Sequence, residues 1–203
     1  MAKCSVENCE SNILAKQLCS KHYQQKYIYG GIRRTKFDPN EILEYDSHAE
    51  IKLYDAKGNH IASTLIDLDD SQRARKYKWY LSGGYVKTQD GLTLADYIMR
   101  KPREMYIDHA NRNTLDNRKS NLRICTAGQN NCNKPNCGNR QSKYKGVHYN
   151  GYSWCAFIYK GKSYYIGSYN SEIEAARAYD IKAIELHGEF AYLNFPEDYD
   201  GKD

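Results

Sequence analysis

Apolar and polar residues alternate along Glu50-Ile51-Lys52-Leu53-Tyr54, the two-residue period of a half-buried strand. Lys57-Gly58-Asn59 then reads as a turn, and 41–104 as a whole reads as β-rich. The pattern breaks at 105–134, which is dense in Asn, Asp, Arg and His and poor in core-formers. Here a strand is predicted to end at Asp108-His109. A polar excursion follows, then a second strand at Leu122–Cys125 and a helix after Thr126, a suitable N-cap. Residues 142–196 predict three strands and one helix. The strands lie near Tyr144–Tyr149, over Ser153–Tyr159 and over Tyr164–Tyr169, with a turn at Lys160-Gly161-Lys162. The helix begins at Ser171, with Glu174 completing a capping box. Ala176, Tyr179, Ala183 and Leu186 share one helical face, and Gly188 ends it. A Gly/Asn/Lys-rich linker over 134–143 separates the last two units. The end beyond Pro196 is acidic and reads as frayed.

Composition narrows the function. With 40% hydrophobic and 27% charged residues the chain is globular, and a net charge of +5 suits a polyanionic partner. Tyrosine is unusually common, at 20 residues against 4 Phe and 2 Trp. Such rings either stack on bases and touch phosphates or line half-buried sheet faces. No apolar run has membrane-spanning length, and the start lacks a signal-peptide core. The expectation is a cytoplasmic protein. In a reducing compartment, seven cysteines point to metal ligation or free thiols rather than disulfides.

Cys4, Cys9, Cys19 and His22 offer three thiolates and an imidazole, the donor set of a structural zinc ion. So small a segment has almost no core, and a metal would supply its folding energy. Free cysteines in a small subdomain are the alternative. The basic, aromatic stretch behind them includes Arg33 and Arg34, either phosphate contacts or a solvated face. This start resembles the zinc knuckles of some phage-encoded nucleases. Cys132 and Cys137 repeat the spacing of Cys4 and Cys9 without a close second pair. With Cys125 and Cys155 they read as ordinary small buried residues, a second zinc site being the alternative.

Phosphodiester hydrolysis needs a base for the attacking water and a hard cation for the phosphate charge. Asp108, His109 and Asn130 supply those residue types. Residues 106–130 resemble the HNH homing endonucleases of phages, in Asp108-His109, Leu115-Asp116-Asn117-Arg118 and Asn121-Leu122-Arg123. The resemblance implies a ββα-metal fold and a magnesium or manganese ion held by Asp108 and Asn130. It implies His109 as general base and Asn121 as the asparagine that holds the histidine's loop and orientation. Asn117 and Asp116 match a turn of structural character. One departure concerns the strand expected upstream. Where relatives carry His-Arg, this chain has Ala95-Asp96 within Leu94–Met99.

The C-terminal unit resembles the Apetala-type (ethylene-response-factor) DNA-binding domain. The matching residues are Tyr144-Lys145-Gly146-Val147, Trp154, Ala156, Ile158, Ile166-Gly167, Tyr169, Glu174 to Asp180 and Leu193-Asn194-Phe195-Pro196. That family places its sheet in the major groove. The implied DNA contacts are Lys145, His148, Tyr149, Tyr152, Trp154, Lys160, Lys162 and Tyr164, with a core role as the alternative for Trp154. The expected fold is therefore α+β and modular. It has a zinc knuckle with a basic tail at 1–36, a β-rich segment with the nuclease core at 41–134, and a sheet-and-helix unit at 142–196. The expected function is a phage- or mobile-element-encoded endonuclease acting on double-stranded DNA, with cutting separable from reading. The alternatives are a DNA-binding regulator without catalysis and a protein acting on RNA.

Overall fold

The alternation at 49–54 builds the middle strand of an antiparallel sheet. β1 (Ile42–Glu44), β2 (Ala49–Tyr54) and β3 (His60–Ile66) follow one another in order. Along β2 the pleat buries Ala49, Ile51 and Leu53 and leaves their neighbours half-buried. The turn before β3 requires its glycine. Gly58 has φ +88°, and a Cβ there would lie 2.2 Å from the Arg34 carbonyl oxygen. The computed structural model describes residues 2–6, 9–35, 38–136 and 141–199; Cys137 falls outside them.

α1 (Ser20–Tyr29) carries His22 near the N-terminus. The sheet shares one core with α2 (Leu68–Ala74), the hairpin of β4 (Tyr80–Ser82) and β5 (Tyr85–Lys87), α3 (Leu94–Met99) and Leu122. Trp79, Ile51, Leu53, Ile66 and Leu94 are wholly buried there, each contributing about 1.5–3 kcal/mol. The stretch expected as an upstream strand is the helix α3. Thr93 caps it by accepting from the Asp96 backbone N–H at 3.0 Å. Leu94, Ala95 and Ile98 fall on its buried face, while Asp96 pairs with Lys101 at 3.6 Å.

The ββα reading holds. β6 (Tyr106–His109) pairs antiparallel with β7 (Leu122–Cys125), and α4 (Ala127–Cys132) follows. Thr126 and Gln129 form a reciprocal capping box at its start.

In the C-terminal unit, β8 (Val147–Tyr149), β9 (Trp154–Lys160) and β10 (Lys162–Tyr169) form an antiparallel sheet with β9 central. α5 (Glu172–His187) packs on one face through Ala175, Ala176, Tyr179 and Ala183. Ser171 caps the Ile173 N–H rather than that of Glu174, and Glu172 accepts from Ser142 at 2.7 Å. Asp180, fully buried, accepts from the backbone N–H groups of Asn194 (2.8 Å) and Phe195 (2.9 Å), fastening the Leu193–Pro196 segment to the helix.

The last two units also touch. Lys145 Nζ donates to the Lys134 carbonyl at 2.6 Å, and Cys132 Sγ lies 3.5 Å from His187 Nδ1. Arg112 stacks on Tyr192 at 4.7 Å and Arg123 on Phe190 at 4.6 Å. Among the described residues no helix is long and apolar enough to cross a membrane.

Candidate active site

β6 ends in two buried polar residues, Asp108 and His109. Strand pairing sets Arg123 opposite Asp108 and Leu122 opposite His109. Asn133, just beyond α4 and 4% exposed, donates from Nδ2 to both oxygens of Asp108, at 2.9 and 3.1 Å. The same nitrogen donates to the His109 carbonyl at 3.0 Å. Arg123 Nη2 donates to Asp108 Oδ2, and its Nη1 to the carbonyl of Glu189.

The neighbours of His109 fix its tautomer. Asn117 Nδ2 donates to the Thr114 carbonyl at 3.1 Å and to Thr64 Oγ1 at 2.9 Å. A carbonyl only accepts, so the oxygen of this amide faces His109 Nε2, 3.3 Å away. His109 is therefore the Nε2–H donor, and its Nδ1 carries the free lone pair. Burial holds His109 below the ordinary imidazole range, against the opposing pull of the Asn117 bond and the Asp108 and Asp116 charges. Tyr85, on the Gly83-Gly84 hairpin, sets its ring 6.3 Å from the imidazole.

Asn121 has a different task. It accepts from the Asn111 N–H at 2.9 Å and donates to the Asp116 carbonyl at 2.8 Å, holding the loop after His109. Asp116 is chelated by Arg118 through two 2.7 Å bonds, which keep its carboxyl below the usual range despite burial. β3 braces this loop from below, since Leu65 N donates to the Leu115 carbonyl and Asn117 N to the Leu65 carbonyl, each at 2.8 Å. Asn130 is half-buried on α4, and its side-chain amide has no hydrogen-bond partner among the described residues. Sequence reasoning missed Asn133, Thr64 and Tyr85, and it placed Arg123 in the motif without a role. The Gly-Gly turn before Tyr85 was a readable signal.

Near the N-terminus the four expected zinc donors converge, with their ligand atoms all within 4.8 Å of one another. Cys9 and Cys19 sulfurs lie 3.8 Å apart, and His22 Nδ1 lies 3.3 Å from Cys4 Sγ and 3.4 Å from Cys19 Sγ. A tetrahedron with zinc–sulfur arms of about 2.3 Å has edges of about 3.8 Å, so the cluster has the right size for such an ion. Burial opposes ionisation of Cys4, but hydrogen bonds from the Val6 and Cys19 backbone and from His22 bring its thiol down to about 6. Arg33 is exposed. Arg34 stacks on Tyr54 of β2 at 3.9 Å, fastening the basic tail to the central sheet.

The expected DNA contacts divide between several environments. His148, Tyr149, Tyr152, Lys162 and Tyr164 are exposed, Tyr152 at 95%. Trp154 is half-buried and packs against the cluster of Val147, Ala156 and Ala175. Lys145 reaches across to the carbonyls of Cys132 and Lys134, and Lys160 to that of Leu186. Beside His148 the sheet also carries Phe157 and Tyr165, which the sequence reading left out. Phe157 stacks on His148 at 4.9 Å and meets Tyr165 at 5.2 Å.

Comparison with known proteins agrees with this geometry. Residues 100–132 match the family described as HNH endonuclease. An uncharacterized HNH endonuclease of Acanthamoeba polyphaga mimivirus is 34% identical over 139 residues, covering 64% of this chain and 73% of the viral protein. An AP2-like ethylene-responsive transcription factor of Arabidopsis thaliana is 36% identical over 89 residues. A second ethylene-responsive transcription factor from that plant is 36% identical over 178 residues, or 83% of this chain. The matched regions span 21% and 37% of the two plant proteins.

Proposed function

Because the chain belongs to the HNH endonuclease family, we propose that it hydrolyses double-stranded DNA with His109 as general base. In this reading Asp108 and Asn130 hold one divalent ion, magnesium or manganese. The observation that carries the proposal is the buried Asp108–His109 pair, braced by Asn133 and Asn117 from two other parts of the fold. The Asp108 carboxylate and the Asn130 amide, which has no hydrogen-bond partner among the described residues, are the hard oxygen donors such ions prefer. Held by Asp108 and Asn130, such an ion would supply neutralisation of charge on the phosphate and on the leaving oxygen.

His109 takes the proton of the attacking water at Nδ1, the nitrogen its Asn117 contact leaves bare. Its buried setting keeps it neutral at pH 7, as a base must be. Asn121 keeps the loop that carries His109 in place.

Site preference is assigned to the C-terminal sheet, through His148, Tyr149, Tyr152, Lys162 and Tyr164. The likeness to plant transcription factors supports this assignment. The Cys4, Cys9, Cys19 and His22 cluster holds a structural zinc ion, and Arg33 beside it contacts phosphate. The viral relative favours a mobile genetic element as the source of the gene.

Incubation of supercoiled plasmid with the protein and magnesium tests the reading. Nicked or linear product is expected, and its loss in His109→Ala with DNA binding retained. Cutting by His109→Ala at the wild-type rate would remove His109 from the mechanism. Binding without any cutting by the wild-type chain would favour a DNA-binding regulator.

A further inference from the structure

Asn133 lies three residues past Asn130 and beyond the last residue of α4. It nonetheless engages both members of the Asp108–His109 pair. One nitrogen, Nδ2, reaches both carboxylate oxygens of Asp108 and the His109 carbonyl at 2.9–3.1 Å. A buried amide placed this way does two things. It fixes the rotation of the carboxylate about its own axis, and it ties the end of β6 to the end of α4. The two hydrogens of Asn133 Nδ2 are shared among three acceptors, and Arg123 Nη2 also donates to Asp108 Oδ2, which leaves the remaining carboxylate lone pairs for other partners. Asn130, on the same short helix, then stands in a fixed relation to Asp108.

We propose that Asn133 is a positioning residue, which pre-orients Asp108 for the divalent ion and sets the span between Asp108 and Asn130. The inference rests on the reading of Asp108 as a ligand of that ion. Hydrogen-bond partners of metal ligands typically govern affinity by about 10–100-fold.

The test is calorimetric titration of the full chain with manganese, without DNA, alongside cleavage as a function of manganese concentration. Asn133→Ala is expected to weaken manganese binding at least about tenfold, while leaving DNA binding in chelator unchanged. Its cleavage is expected to recover at saturating manganese, which separates a positioning role from general damage. Asn133→Gln, with its donors displaced, should fall between the two.

If Asn133→Ala does not fold, Asn133→Ser replaces it, keeping a polar group that is too short to reach the carboxylate. Wild-type manganese affinity in the folded variant would overturn the proposal, as would a cleavage defect that saturating metal does not repair. Asp108→Ala separates the two readings. If it binds manganese as tightly as the wild-type chain, the assignment of Asp108 fails. If it loses the ion while Asn133→Ala keeps it, only the role of Asn133 fails.

Discussion

A histidine that must accept a proton needs one nitrogen kept bare and a ring kept uncharged. Asn117 provides the first through the fixed direction of its amide, and burial provides the second. His109→Ala should lower cleavage at least about a hundredfold, the scale of general-base removal, measured by plasmid relaxation. A pH consequence follows as well. The folded pKa of His109 lies below its unfolded value near 6.5, so the unfolded chain binds the extra proton first. The stability His109 confers as a neutral group is full above about pH 6.5 and is lost as pH falls toward the folded value. Chemical denaturation between pH 5 and pH 8 (roughly the range in which histidine titrates) should show that loss in the wild type and a smaller one in His109→Ala. Much of this chemistry was legible, because Asp108, His109 and Asn121 sit in a dense motif. The division of labour between Asn121 and Asn117 was not. It depends on Thr64, fifty-three residues away from Asn117, and no local pattern announces such a contact.

Short elements here depend heavily on their ends. α4 has six residues and none of them is buried, so its capping box carries much of its definition. Thr126→Ala should cost about 1 kcal/mol by thermal unfolding. Because the same helix leads to Asn130 and Asn133, manganese affinity should fall with it. The N-terminal unit has an even smaller core, Cys4, Leu18 and Cys19. Metal analysis should find one zinc ion per chain, and its removal should unfold the first 35 residues while β2 and β3 persist, as read by amide exchange. The strands and caps were readable where alternation or an N-cap residue such as Thr126 marked them. α3 was not, because its six residues match a strand in the motif's relatives while Thr93 and the spacing of Leu94 and Ile98 favour a helix.

At the scale of the molecule, composition divides the chain into segments, and the structure holds several small cores. Composition did not reveal how closely the second and third units meet. A fragment ending near Asn139 is expected to keep only weak cleavage with little site preference, judged by sequencing its products. Since it loses the partners of Arg123 and Arg112, it should also unfold at lower temperature than the same region in the full chain. Side-chain meetings such as Arg123 with Phe190 join residues far apart in sequence, which periodicity cannot register. The position of Arg123 has a consequence for inheritance. Its guanidinium grips Asp108 with one arm and the Glu189 carbonyl with the other, over the face of Phe190. A crossover in the 134–143 stretch would therefore trade one target for another only when the incoming partner brings an aromatic residue and a carbonyl to that spot. Lineages that exchange this half of the gene should carry the pair along as a unit, and transplants lacking it should arrive with a misplaced carboxylate.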